Sequence, residues 1–138
     1  MKSISKCILI VMCLFIAFIL VTCNMVSTVE KASGYTESDR LTYSFYTDEE
    51  IKNTPRISNN YYFTWQHQDG GKPEISSIVF SNTDNEVALK EYLVTLGYHH
   101  VESSQFGERW ESERGPNPAF YLWKKSQLNQ VGLSKTRQ

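Results

Sequence analysis

His67, His99 and His100 are the only histidines of the chain. Imidazole is the side chain best suited to hold a metal or move a proton near neutral pH. A zinc site needs three or four convergent ligands. His99 and His100 are adjacent, and adjacent residues of a strand point to opposite faces, so they do not readily serve one ion. All three are expected at the surface or in packing, with no metal and no cofactor. A serine nucleophile needs a base and a third, orienting group; serines are numerous, but no Gly-x-Ser-x-Gly elbow occurs. The carboxylate pairs Glu49/Glu50 and Glu111/Glu113 have the right residue type for acid–base work. The first reads as first-turn acids of a helix and the second as part of a mixed-charge loop. Neither has the apolar surroundings that separate two pKa values. Asp69-Gly70-Gly71-Lys72 looks like a phosphate cradle only in composition and reads more simply as a hairpin turn. No residue is assigned a catalytic role, and the chain is not expected to be an enzyme.

Binding chemistry is better represented. Residues 106–116 combine Trp110 with Arg109, Arg114, Glu108, Glu111 and Glu113 between flanking glycines. Interfaces concentrate their energy in Trp, Tyr and Arg. One reading is a hairpin with Trp110 packed inward and the charges solvated. The other is a partner-contact loop, in which Arg109, Glu111, Glu113 and Arg114 meet charges on a protein partner and Trp110 fills a pocket. A second candidate face lies on residues 60–68, where Tyr61/Phe63/Trp65 and Tyr62/Thr64 alternate; the binding face is whichever set does not meet a helix.

The elements that must position these residues are legible in part. Residues 41–46 alternate weakly, as a short strand or approach segment. Thr47 and Glu50 have the spacing of a capping box and predict a short helix over 48–53, ended by Pro55. Residues 60–68 and 75–81 read as an antiparallel hairpin around Asp69-Gly70-Gly71-Lys72. Thr83 and Glu86 form a second capping box, opening a helix over 84–96. On it Leu89, Tyr92, Leu93 and Leu96 share one apolar face, Glu86 pairs with Lys90 outside, and Gly97 stands at the C-terminal cap. Strands are predicted over 98–103, 106–111 and 119–123, with Gly115-Pro116-Asn117-Pro118 as a breaker. Residues 126–138 lack aromatics and regular apolar spacing and read as a frayed polar tail. The expected fold is a single small α+β domain over 41–125, an antiparallel sheet with one main amphipathic helix on a face.

The first 23 residues carry the clearest signal. Lys2 and Lys6 precede an apolar run from Cys7 to Val21, and no acid appears before Glu30. As a helix the run reaches about 22 Å, short of the roughly 30 Å hydrocarbon core of a bilayer. It reads as a secretory leader over 1–22. The alternative, a retained anchor helix extended through Met25 and Val26, requires burying Thr22 and Asn24. Leu20-Val21-Thr22-Cys23 resembles the lipobox of bacterial lipoproteins, with Thr22 where that family prefers Gly, Ala or Ser. The resemblance implies cleavage before Cys23, lipid on Cys23, and a flexible tether over 23–40. Asn24 after the cysteine, in place of Asp, implies the outer membrane over the inner. Cys7 and Cys13 leave with the leader, so the mature part has no disulfide although its compartment permits one.

Removing Lys2 and Lys6 leaves 12 basic against 15 acidic side chains, a net charge of −3 on 116 residues. That is one domain's length, and it lacks the concentrated basic surface that nucleic acid requires. Together with Asp-Glu-Glu-Ile-Lys-Asn-Thr-Pro at 48–55 and Tyr-Leu-Val-Thr-Leu-Gly-Tyr at 92–98, the leader gives a chain that resembles small proteobacterial lipoproteins. Some of these are immunity proteins beside type VI secretion effectors, including phospholipase toxins. The resemblance implies a periplasm-facing protein, held to the membrane by its lipid, that binds and neutralises a secreted toxin. Two other classes stay open: an envelope inhibitor or exclusion lipoprotein with another protein target, and an accessory lipoprotein that binds lipid or glycan.

Overall fold

The computed structural model describes residues 2–29 and 34–137, with side chains described for 6–21 and 34–137. Helices α1 (Lys2–Val29), α2 (Arg40–Tyr46), α3 (Glu49–Lys52) and α4 (Val87–Thr95) accompany six strands, β1 (Tyr61–Gln66), β2 (Glu74–Ser81), β3 (Tyr98–Ser104), β4 (Gly107–Ser112), β5 (Gly115–Lys125) and β6 (Gln130–Arg137). The strands form one antiparallel sheet in the order β1-β2-β6-β5-β4-β3. The expected α+β class, an antiparallel sheet with a helix-covered face, is the observed one.

The register decides which residues share a face. Tyr61, Phe63 and Trp65 of β1 stand opposite Phe80, Ile78 and Ser76 of β2, which stand opposite Val131, Leu133 and Lys135 of β6. Leu133 and Lys135 in turn oppose Leu122 and Phe120, and Phe120 opposes Trp110. Phe63, Ile78, Phe80, Val131, Leu133, Leu122, Phe120 and Trp110 of this face, with Tyr35, Ile51, Leu89, Leu93 and Tyr98, make the core, and Tyr61 and Trp65 pack at its margin. Leu89 and Leu93 of α4 are fully buried, each contributing about 1.5–3 kcal/mol of gross hydrophobic stabilisation. Tyr92 and Leu96 pack at the margin of the same face. Gly97 takes φ +83° after the last turn of α4, a left-handed conformation that glycine adopts without a Cβ clash.

Several expectations are corrected. Residues 41–46 are not a strand: they lie in α2, because Tyr43 and Tyr46 pack their rings on Phe63 and Trp65 at 5.1 and 4.7 Å. The cap of α3 is Asp48, whose carboxylate accepts from the Glu50 N–H at 2.9 Å. Thr47 is buried instead, with its hydroxyl 2.9 Å from that of Tyr35. Helix α4 starts at Val87, where Asn85 Oδ1 accepts from the Val87 N–H at 3.1 Å. Glu86 makes no side-chain cap, because it pairs with Lys90 at 2.9 Å. The 115–118 segment lies inside β5, with a cis Asn117–Pro118 bond. A register shift between Glu111 and Ser112 absorbs the extra residues.

The expected tail holds the largest correction. Residues 130–137 are β6, the strand between β2 and β5, and Val131 and Leu133 are fully buried. Asn129, at φ +50°, turns the chain back after a short 3-10 turn at Ser126–Leu128. The domain also begins earlier than residue 41. Tyr35 pairs with Phe63 through backbone hydrogen bonds of 2.9 and 2.8 Å, closing the β1 edge.

Helix α1 runs past Cys23, whose side chain lies outside the described residues. Its apolar side chains between Ile8 and Val21 are 42–67% exposed. Among the described residues, no helix is long and apolar enough to cross a membrane.

Candidate functional site

Helices α2, α3 and α4 make their contacts on the Phe63–Phe80–Leu133–Phe120 side of the sheet. The other side presents three cross-strand rows. One runs Tyr62, Val79, Gly132, Trp123. The next crosses all six strands as Thr64, Ser77, Ser134, Tyr121, Arg109, Glu102. The third is Gln66, Ile75, Thr136, Ala119, Glu111, His99. This open face is the candidate site.

Its centre is built around a missing side chain. A Cβ on Gly132 would stand 2.1 Å from Cζ2 of Trp123, so the indole lies flat where β6 has only backbone. The Trp123 Nε1–H donates to Ser134 Oγ at 3.1 Å, and Ser77 and Ser134 share a hydroxyl–hydroxyl bond of 2.9 Å. The Lys125 ammonium sits 5.2 Å above the indole, within cation–π range. The ring is thus fixed at its edge and left half-exposed on its outer face.

Beside it lies a charged patch. The Arg109 guanidinium pairs with Glu111 at 2.6 Å and Glu102 at 3.6 Å. Its Nε is buried with no hydrogen-bond partner in the structure. A cleft of about 200 Å³ opens between Arg109, Tyr121, Thr136, Pro73, Pro116 and Asn117. Aromatic, hydroxyl and paired ionic groups on a strand-borne surface suit recognition of another molecule, because the sheet holds them without loop entropy.

The structure separates the residues that the sequence reading grouped in one loop. Arg109 and Glu111 are on the open face. Trp110, between them, points to the helix side, is 6% exposed and packs edge-on to His100 at 5.7 Å. It is a core residue, so it does not fill a partner's pocket; adjacent strand residues point to opposite faces. Glu113 and Arg114 are exposed at the β4–β5 turn, away from the aromatic centre. Of the alternating β1 sets, Tyr61/Phe63/Trp65 meets the helices and Tyr62/Thr64 is left on the open face. Trp123, Tyr121 and Gly132 were missed as site residues. Trp123 was legible as a strand aromatic, but its platform depends on Gly132, in a segment read as a tail.

A second hollow, of about 340 Å³, lies on the helix side around Asp48, Glu50 and Lys135. The Lys135 ammonium contacts both Asp48 oxygens at 3.0 Å and Glu50 Oε2 at 2.7 Å. Burial by itself lowers the Lys135 pKa, but the two carboxylates outweigh it and hold the ammonium above its usual value. Tyr92 donates to the Glu50 carbonyl at 2.6 Å. Its phenol is pushed up to about 12, first by burial and then by the charges of Glu50 and Asp48. Lys52–Glu49 and Arg137–Glu74 pair across the same lining. The charges here satisfy one another, which fits a structural clasp of α3 on β6. Among the described residues, no group of three or more His, Cys, Asp or Glu is placed to hold a metal ion.

The chain matches no protein-family model, no curated protein and no solved structure.

Proposed function

We propose that this protein is a non-catalytic binder, held at a bacterial envelope through its N-terminal segment, that seats a protein partner on the open sheet face. In its most specific form it is a periplasm-facing lipoprotein, acylated at Cys23, that covers and neutralises a secreted antibacterial toxin. The single observation that carries the binding reading is the sharing of one exposed sheet face by Tyr62, Tyr121, Trp123 and Arg109. These are the residue types that dominate interface energetics, and the frame beneath them is a continuous antiparallel ladder. The toxin and the lipid rest on the resemblance of the leader, as does the outer membrane as destination. A tether at the membrane raises local concentration where a toxin arrives.

The test is capture of a partner by the detergent-solubilised full chain, followed by affinity measurement with Trp123→Ala, Arg109→Ala and Leu128→Ala. Loss of a hot-spot aromatic costs about 2 kcal/mol or more, so Trp123→Ala should weaken binding by about 30-fold while Leu128→Ala changes little. Equal affinities for all three variants would remove the open face from the interface. Turnover of an envelope substrate by the purified chain would remove the binder reading. A captured muramidase or conjugation component would identify the inhibitor or exclusion class. The cleft between Arg109 and Tyr121 favours, as a second reading, an accessory lipoprotein that binds a lipid headgroup or glycan. Saturable binding of such a ligand, abolished by Tyr121→Ala, would select it. Mass spectrometry should find Cys23 as an acylated N-terminus; an intact Met1 would favour the anchor helix.

A further inference from the structure

Helix α2 packs Tyr43 and Tyr46 on the core yet carries two large apolar residues on its outer side. Its buried residue is Thr42, whereas Leu41 and Phe45 are 61% and 75% exposed. These two stand at i and i+4 and so share one outward stripe. A surface helix in water ordinarily turns its polar residues outward and its large apolar residues inward. Of the other exposed large apolar residues of the domain, Val87 and Val94 lie two turns apart on α4, and Val101, Phe106 and Leu128 sit singly on other elements, where single exposed apolar residues are ordinary.

We propose that Leu41 and Phe45 are a second membrane contact, inserted into the lipid surface to which the N-terminal segment holds the chain. The proposal rests on the membrane-held part of the reading above and is independent of what the sheet binds. Two observations select a lipid surface as the occupant: the chain's approach to α2 and a cation beside the exposed pair. The chain arrives at α2 directly from the apolar helix α1, with ten residues between Val29 and Arg40. Fully extended, those ten span at most about 35 Å, and α1 and α2 are in contact. Tyr43 and Tyr46 lie on the other side of α2, half-buried against Phe63 and Trp65, and so fix the helix with Leu41 and Phe45 outward. Arg40, exposed immediately before Leu41, supplies a cation at headgroup level. Because α2 covers the helix side of the sheet, this contact turns the open face away from the bilayer.

The experiment uses the full chain reconstituted in vesicles of phosphatidylethanolamine and phosphatidylglycerol, with or without bromine on the acyl chains. The variants Phe45→Trp, Leu41→Trp and Phe106→Trp each add one indole to the three native ones. Emission added at positions 45 and 41 should fall by more than half in brominated vesicles, and emission added at 106 should not. If the wild-type chain floats with the vesicles but position 45 and position 41 are quenched no more than 106, the contact proposal is overturned and the anchor reading stands. If the wild-type chain does not float with vesicles at all, both are overturned.

Discussion

Replacing Gly132 with Ala puts one methyl where Trp123 lies. The added Cβ would stand 2.1, 2.2 and 2.7 Å from three atoms of the indole, well inside contact distance, so the ring must lift. Overpacking of this kind costs about 1–3 kcal/mol. Lifting the ring also breaks the Nε1–Ser134 bond, worth about 0.5–1.5 kcal/mol net. The expected loss is therefore about 2–3 kcal/mol. A Gly→Ala change with compatible backbone stabilises by about 0.4–1 kcal/mol through the unfolded chain. With Trp123→Ala already in place, Gly132→Ala should then be neutral or slightly stabilising. The double-mutant cycle should show a coupling of about 2–3 kcal/mol, at the upper end for residues in direct contact. The assay is urea unfolding followed by far-UV circular dichroism, with tryptophan emission as a second probe. If Gly132→Ala costs the same with and without Trp123, the ring does not rest on the β6 backbone and the platform description is wrong. If Gly132→Ala weakens partner binding in proportion to the shift in tryptophan emission, the platform also serves recognition.

Three further outcomes are expected. Deleting 130–138 should abolish cooperative unfolding, because it removes the strand that pairs with both β2 and β5; a cooperative transition near the wild-type midpoint would show β6 to be dispensable. Leu93→Ala should cost about 2–5 kcal/mol, and Lys90→Ala, which bridges Glu86 and Glu108 at 2.9 and 2.8 Å, about 0.2–1 kcal/mol, read as shifts in the denaturation midpoint. The pKa of Lys135 is raised in the folded state, so its contribution is complete below the unfolded value of 10.5 and is lost as pH rises through the folded value. The stability difference between wild type and Lys135→Met should accordingly be constant from neutral pH to about 10 and shrink above about 10.5, measured by denaturation across that range.

How much of this was legible depends on where the information lay. The hairpin of β1 and β2, the buried face of α4 and the glycine after it were readable because each is specified within about a dozen neighbours, by period and by turn chemistry. The capping residues were displaced by one or more positions because Thr47 and Glu86 found stronger partners, Tyr35 and Lys90, than the helix ends they precede. Residues 130–137 were unreadable for a physical reason. A central strand whose open face is covered by another strand's indole needs Gly132 and Ser134 there, and so looks neither apolar nor strand-like by itself.

The sequence by itself determined the apolar N-terminal run, the acidic balance, the mixed α and β elements and the residue types from which an interface could be made. Which of those residues meet on one surface was decided only by the tertiary structure. Strand alternation put Trp110 inside and its neighbours Arg109 and Glu111 outside. Long-range register then brought Arg109 beside Tyr121, and Trp123 over Gly132. Local patterning encodes the period of an element, but the face that an element exposes is settled by what packs on its other side.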